Sequence, residues 1–587
     1  MCGIFGAWLN EPLDEDYVGR FTVATQSLSH RGPDDQGCYV ERANGLFLGH
    51  RRLSIIDLSD AASQPMEIDG NVIAFNGEIY NFLELRLELE LNGHQFRTQS
   101  DTEVLLRAFN HWGNDAFRRL DGMFSLVIRH DEGLTFATDP FGEKPLFIFR
   151  SSQGLYFTSE PTPLVKLLAL EFEPTDLQIA EFLNFGFMLN GETGFQGLKA
   201  VGPATVLTFK RPNATPCEGR YWAPPLVSET TNEPSAKDVD ELHSILLESI
   251  KRRLRADVPI GLFLSAGVDS SLIAAICAKD LNHDIQTFTV AFPDGLNEAE
   301  TAAKIASHLG THHRTIEVAA DPFGGDFPNA LTSIYGTAND NLTAISVFQL
   351  SMSARPFIKV ALSGTGGDEL AIGYNKYAFI HKRRHEYKIP PHIARLVASF
   401  FEAISMLDKA NSIRAFLGGT DAQRVSALKN GLASLKLGKT STLLDLPPNL
   451  TQSKSWLNKM RSFDLEATLP ASYISAVDRG SMRTGLEVRC PYLNTALFDF
   501  VARFGGSVLI GKGQKYLLRT ILGRYIPSEF VSRPKTGFVR PLSNWTKTLE
   551  KPLEHRLLDE PFYPNAENHN DGMIALRIAI LQSMTAS

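Results

Sequence analysis

At 587 residues the chain is longer than one hydrophobic core organises, and at about 100–200 residues per domain it holds two to four. Apolar residues make up 43% and charged residues 21%, the balance of a soluble globular protein, which excludes a fibrous repeat or a dominant disordered tail. The net charge of −8 leaves no electrostatic footprint for nucleic acid, and no apolar run reaches the ~18 residues of a membrane span.

In chain order, the opening "MCGIFGAWLN" has neither the basic nor the long apolar region of a signal peptide. The five cysteines are scattered, odd in number and in no zinc-type spacing, so a reduced, cytoplasmic protein is expected. Residues 1 to 208 carry short β-like runs such as "GIFGAWL", "NVIAFNGEIY", "MFSLVIRH" and "GLYFTSE", interspersed with the helical patterns "NFLELRLELELNG" and "DTEVLLRAFNHWG". That mixture predicts an α+β domain of stacked antiparallel sheets. The polar "LSHRGPDDQGCY" (28–39) reads by composition as a surface loop. A stretch rich in Pro, Ser, Thr and Glu, 209–237, reads as a linker. In 238–587 the strands "IGLFLS", "IQTFTVAF" and "FIKVALSG" alternate with helices over 238–253, 269–279 and 298–309. Such alternation predicts a parallel sheet with helices on both faces.

Cys2 is followed by Gly3, and loss of the initiator Met would leave a thiol beside its own α-amine. An amine of ordinary pKa about 8 can serve such a thiol as base, the arrangement of an N-terminal nucleophile. "SHRGPDD", "HRRLSIID" (50–57), "FNGEIYN" (75–81), "QSDTE" (99–103), "DGMFS" (121–125) and "DPFGEKPLF" (139–147) follow in that order. On these motifs residues 1–208 resemble the class II glutamine amidotransferases, whose glutaminase domain is an N-terminal nucleophile (Ntn) sandwich. The resemblance implies that Cys2 attacks the glutamine amide, with Asn76 and Gly77 as oxyanion donors. It implies further that Arg52, Ile55, Ile56, Asn76, Gly77, Glu78 and Asp101 bind glutamine. A zwitterion needs one cationic and at least one anionic contact, which this set supplies. The loop at His30, Arg31 and Asp34 falls, in that family, beside the nucleophile and near the mouth of the ammonia route.

"VPIGLFLSAGVDSSLIAAICA" (258–278) reads as a strand, a tight turn of small residues and a helix start. Backbone N–H groups and the helix dipole there favour phosphate, and no Walker-type lysine follows. The turn resembles the SGGxDS motif of ATP pyrophosphatases, the adenine nucleotide alpha hydrolase-like fold, with Ala266 in place of a glycine. Together with "VALSGTGGDELAIGYNKY" (360–377), "ASYISAVDRGSMRTGLEVRCPYLN" (471–494) and "GQKYLLRTILGRYIPSEFVSRPKTGFVRP" (513–541), it resembles the glutamine-hydrolysing asparagine synthetase family of the B type. The implied ATP site comprises Leu264, Ser265, Ala266, Gly267, Asp269, Ser270, Ser271, Val290, Ser363, Gly364, Asp368 and Lys515. Asp269 and Asp368 would hold Mg²⁺, and Lys515 would be catalytic, neutralising phosphate charge. Residues 546–587 carry no assignable motif.

The implied reaction joins glutamine-derived ammonia to a carboxylate activated as its acyl-AMP. Glutamine, ATP and a carboxylate, aspartate foremost, are the expected partners; no nucleic acid or membrane is expected, and a homodimer is left open. Three departures bear on the acceptor. Thr365 stands where the family commonly has Glu, Asn494 where it has Asp, and "YGTANDNLTA" (335–344) is less acidic than usual. Amidation of another carboxylate, such as a sugar acid of a surface polysaccharide or a peptide intermediate, is the alternative they raise.

Overall fold

The computed structural model describes residues 2–586 apart from 228–231, 292–297, 320–321, 387–388, 405, 418, 432–433, 435–436, 438–439, 445, 447–452, 454, 533–541, 548–552, 554, 559–560, 563 and 566–567. Part of the expected linker and the last nine residues of the 513–541 signature therefore lie outside the described residues. Twelve strands precede residue 221: β1 (Gly3–Leu9), β2 (Asp35–Glu41), β3 (Leu46–Arg52), β4 (Met66–Ile68), β5 (Asn71–Ile79), β6 (Gly122–His130), β7 (Gly133–Thr138), β8 (Phe147–Arg150), β9 (Gly154–Thr158), β10 (Leu198–Ala200), β11 (Thr205–Phe209) and β12 (Cys217–Arg220). They form two six-stranded sheets, ordered β10-β8-β9-β1-β3-β2 and β12-β11-β7-β6-β5-β4, with the pairings in both antiparallel.

Period-two alternation stacks these sheets. In β5, Val72 and Ala74 point between the sheets, among Ile4, Leu48, Val127, Phe136 and Phe157. Their neighbours Ile73, Phe75 and Ile79 point the other way, onto Leu85, Leu89, Val104 and Leu105 of helices Phe82–Leu91 and Asp101–Trp112. On the opposite outer face Phe5 and Phe47 pack against Phe21 of helix Glu15–Gln26. The result is a four-layer helix, sheet, sheet, helix sandwich.

Two readings of the sequence change here. The stretch 28–39 is a surface loop only in part: Pro33 and Asp34 are exposed, but Arg31 is fully buried, its charge met by carboxylates, and Asp35 begins β2. Within the expected linker, Cys217–Arg220 is a strand paired to β11.

The second half holds a five-stranded sheet: β13 (Ile260–Phe263), β14 (Gln286–Ala291), β15 (His312–Glu317), β16 (Val360–Leu362) and β17 (Glu487–Arg489), ordered β15-β14-β13-β16-β17 and parallel throughout. Leu262 and Leu362 meet Leu246, Leu272 and Ile305 from helices on one face. Phe288, Ala361 and Val488 meet Leu350 and Ala354 on the other. Because β13 lies between β14 and β16, the chain reverses its direction of travel across the sheet at β13. The loops leaving the carboxyl ends of β13 and β16 therefore lie at the topological switch point, the place where α/β sheets bind ligands.

The two halves interlock. Asp257 donates its backbone N–H to Ile55 O at 2.9 Å, and Lys359 pairs with Asp34 at 3.0 Å. Leu53, Ile55, Tyr80 and Met123 share one apolar cluster with Val360 and Met482.

Candidate active sites

β1 and β5 bring Cys2 to Asn76. The Cys2 backbone nitrogen donates to Asn76 Oδ1 at 3.0 Å, and Asn76 Nδ2 donates to Ser125 Oγ at 3.3 Å. At Gly77 a Cβ would stand 2.1 Å from Met123 O with φ at +157°, so only glycine fits. Burial pushes the Cys2 thiol above its ordinary value, while the N-terminal positive charge pulls it down. A cationic α-amine on Cys2 itself would pull harder still.

Of the other residues expected for glutamine, Arg52 and Glu78 lie within electrostatic reach of the Cys2 thiol. Arg52 is buried, with its guanidinium donating to Ser59 O at 3.0 Å and to Asp57 O. Ile55 is buried and Ile56 half-buried. Asp101 accepts from the Ile79 N–H at 2.9 Å, and burial raises its carboxyl to about 6. Glu78 is held well above the usual carboxylate range by burial, then by Glu487 and Asp101. Its Oε2 makes no hydrogen bond among the described residues. The cation facing it, Arg489 at 3.6 Å, comes from β17 in the second half, where it also pairs with Glu487 at 2.6 Å. Glu487 and Arg489 lie within the quoted 471–494 motif, but nothing in their sequence neighbourhood says that they face Glu78.

At the second site the turn after β13 closes on itself. Ser265 N donates to Ser270 Oγ at 3.0 Å, and Gly267 N donates to Ser265 Oγ at 3.1 Å, with Ala266 half-buried between them. Gly267 caps helix Val268–Ala275. Ser271 is buried and its Oγ makes no hydrogen bond among the described residues. Leu264 and Val290 are buried at strand ends. The loop after β16 comes close: a Cβ at Gly364 would lie 3.0 Å from Ser270 N, and one at Gly367 would lie 2.6 Å from Asp269 Cγ.

Lys515, at the start of helix Tyr516–Leu522, reaches both loops. Its Nζ lies 2.5 Å from Asp269 Oδ2 and 2.8 Å from Asp368 Oδ1. Burial works against its charge, but the two carboxylates outweigh that and raise its pKa. A Cβ at Gly373 would fall 2.3 Å from Asp368 Oδ1 and 2.4 Å from Lys515 Cε, so the close approach requires glycine there too. Ser363 Oγ and Thr365 Oγ1 share a hydrogen bond at 2.9 Å. Glu369, which follows Asp368 in helix Gly367–Leu370 and was not singled out by its motif, is buried, accepts from Tyr374 OH, and burial and Asp368 push it to about 7.

Two of the three departures have structural employment. Asn494 accepts from Leu497 N at 3.4 Å as a helix cap and donates to Asp121 at 3.3 Å. In 335–344, Asn339 donates to Ala471 O at 2.7 Å, Asn341 to Ser472 Oγ at 3.0 Å, and Asp340 is paired with Arg577 at 2.7 Å.

Comparison with known proteins finds two family models along the chain. Residues 1–222 match the glutamine amidotransferase domain and residues 241–577 match asparagine synthase. Asparagine synthetase (glutamine-hydrolyzing) 1 of Bacillus subtilis is 30% identical over 98% of this chain and 92% of its own. A putative asparagine synthetase (glutamine-hydrolyzing) of Mycobacterium tuberculosis H37Rv is 30% identical over 94% of this chain and 89% of its own. Among solved structures, a Bacillus subtilis glutamine phosphoribosylpyrophosphate amidotransferase overlaps at a TM-score of 0.28 and 14% identity, covering 62% of this chain and 82% of its own, too low to bear on the reading. An Ntn-type sandwich joined to a parallel-sheet synthetase half, matched over nearly its whole length, makes this chain a member of the ATP-using, glutamine-hydrolysing asparagine synthetase family.

Proposed function

We propose that Cys2, freed at its amine by loss of Met1, hydrolyses glutamine, and that Lys515, Asp269 and Asp368 serve acyl adenylation at the loops leaving β13 and β16. The observation that carries this is the bridging of both loops by one buried lysine, 2.5 and 2.8 Å from two carboxylates. The Cys2 sulfur attacks the glutamine side-chain carbonyl. Asn76 and Gly77 meet the oxyanion, ammonia leaves, and water releases glutamate from the thioester. Arg52 pairs with the glutamine carboxylate, while Glu78 and Asp101 hold its α-ammonium.

In the second half an acceptor carboxylate oxygen attacks the α-phosphorus of ATP and pyrophosphate departs. The Ser265–Ser271 turn cradles the pyrophosphate and Lys515 offsets the growing phosphate charge. Ammonia then adds to the acyl carbon and AMP leaves with its electron pair. Two convergent carboxylates beside a phosphate-binding turn are the donor set Mg²⁺ takes, so Asp269 and Asp368 would hold the ion, which supplies charge neutralisation on ATP.

Aspartate is the leading acceptor, because the match to asparagine synthetases runs nearly end to end and two of the three departures are structural. The second reading, another carboxylate, rests on Thr365, whose hydroxyl cannot act as a base near neutral pH. The test supplies ATP, Mg²⁺, glutamine and a panel of carboxylates and follows pyrophosphate and amide. Asparagine formation decides for aspartate; AMP and amide from another carboxylate, with no asparagine, decides for the second reading. In the same assay Cys2→Ala should lose glutamine-dependent and keep ammonia-dependent synthesis, whereas Asp269→Ala should lose both.

A further inference from the structure

Arg31 ties the nucleophile of one half to a carboxylate of the other. Its Nε donates to the Cys2 carbonyl oxygen at 3.0 Å. Its two terminal nitrogens grip Asp478 at 2.9 and 3.1 Å, and one also meets Glu160 at 2.9 Å. Arg31 is 0% exposed and Asp478 3%, so the bidentate pair works without water to loosen it. Lys144 lies 3.5 Å from Asp478, Arg479 lies 3.2 Å from Glu160, and His30 lies 3.1 Å from Glu160. Three permanent cations thus share two carboxylates, and Asp478 is held below the usual carboxylate range by Arg31 and Lys144 in spite of its burial.

Asp478 sits on helix Ser475–Met482, which continues without a break from Trp456–Phe463 through the wide-turned Asp464–Ile474. Asp464, on that rod, accepts from Lys376 at 2.5 Å and Tyr377 at 2.6 Å. Those two residues belong to helix Asn375–Lys382, the next helix after Gly367–Leu370, which carries Asp368 at the expected nucleotide loop. Ala471 and Ser472, also on the rod, hold Asn339 and Asn341. Wide turns within an α-helix commonly mark functional sites, and this one carries Pro470.

We propose that Asp478 is a positioning residue for the Cys2 nucleophile, acting through Arg31, and that helix 456–482 thereby couples glutamine hydrolysis to the state of the nucleotide loop. The inference rests on the assignment of Cys2 as the glutaminase nucleophile. Asp478 fixes the guanidinium, the guanidinium fixes the Cys2 carbonyl, and the thiol is aimed only while the rod is seated. A neutral Asn at 478 keeps the shape but removes the charge that Arg31 and Lys144 share, and leaves Arg31 and Arg479 to Glu160.

The experiment compares wild type, Asp478→Asn and Asp478→Glu in the full chain. Three rates are read: glutaminase kcat and KM, Cys2 alkylation by iodoacetamide with and without ATP plus acceptor, and ammonia-dependent synthesis. Asp478→Asn should lower glutaminase kcat tenfold or more with glutamine KM within threefold, slow alkylation, and abolish any response of alkylation to ATP plus acceptor. Ammonia-dependent synthesis should stay within threefold of wild type, and Asp478→Glu should recover part of the glutaminase rate. Wild-type kcat and alkylation in Asp478→Asn would overturn the proposal, as would an equal loss of ammonia-dependent synthesis, which assigns the effect to folding. Glutaminase activity that survives Cys2→Ala in an otherwise unaltered chain would instead remove the underlying assignment.

Discussion

Replacing Lys515 by Met removes a cation that bridges Asp269 and Asp368, at 2.5 and 2.8 Å. Two oxygens held by a single nitrogen at those distances are roughly 5 Å apart, and at an effective dielectric near 20 two charges at that separation repel by about 3 kcal/mol. Removing one partner of a buried pair costs a similar ~3–5 kcal/mol in mutational series. Lys515 has a raised pKa, so its contribution in wild type is complete below the ordinary lysine value and is lost only as pH rises through the higher folded value. In Lys515→Met the two carboxylates lose that shared cation and should bind protons more readily, so the variant's deficit should shrink toward acid pH. Mg²⁺ should raise its melting temperature more than it raises that of wild type, since the cation replaces the missing charge. Acceptor-dependent exchange of pyrophosphate into ATP should fall by about 10²–10³, the loss of a transition-state charge partner, while glutaminase stays within a few fold. Exchange retained within tenfold, or a glutaminase that falls in step with it, would refute the reasoning.

Gly77→Ala forces a Cβ to within 2.1 Å of Met123 O, so glutamine hydrolysis should drop by about 10²–10³ with ammonia-dependent synthesis spared, as steady-state assays with the two nitrogen sources would show. Gly373→Ala places a methyl 2.3 Å from Asp368 Oδ1 and 2.4 Å from Lys515 Cε; pyrophosphate exchange should fall and glutaminase should not. Asp101, raised to about 6 by burial, loses its charge as pH falls through that value, so glutaminase kcat/KM should decline on the acid side of about 6 and a flat pH profile would contradict its role toward the α-ammonium. Thr365→Glu restores the carboxyl common in the family and should raise asparagine formation relative to AMP release if aspartate is the acceptor; a fall in the ratio, read by amino-acid analysis, points to another carboxylate.

Much of this site was legible because its chemistry is local in sequence. The turn at Ser265–Gly267 announces itself by small residues between a strand and a helix, and Asn76, Gly77 and Glu78 occupy successive positions of one strand. The parallel sheet was legible for β13, β14 and β16, whose apolar runs mark buried strands. Strand β15, "HHRTIE", carries no apolar alternation, and β17 has three residues, two of them charged; only pairing with β14 and β16 makes them strands.

Charged residues were the hardest to read, because a charge is assigned to the surface until its partner is known. Arg31, Arg489 and Asp478 are all buried, and each is held by a residue far along the chain in the opposite half. Arg31 and Asp478 are 447 positions apart, beyond the reach of any periodicity or motif spacing. Burying such pairs buys little net stability, since desolvation offsets most of the attraction, but it penalises any seating of the two halves that leaves one charge unmatched. That asymmetry explains why these charges lie at the seam. An apolar seam would tolerate small slips of one half on the other, whereas Arg31 on Asp478 and Arg489 on Glu78 each fix a register. Both pairs end on the proposed glutaminase centre, at the Cys2 carbonyl and at the carboxylate proposed for the glutamine α-ammonium. The second half therefore supplies ionic partners to the first half's centre, and glutamine hydrolysis should be sensitive to how the synthetase half is seated even though none of the residues proposed to touch glutamine lies there.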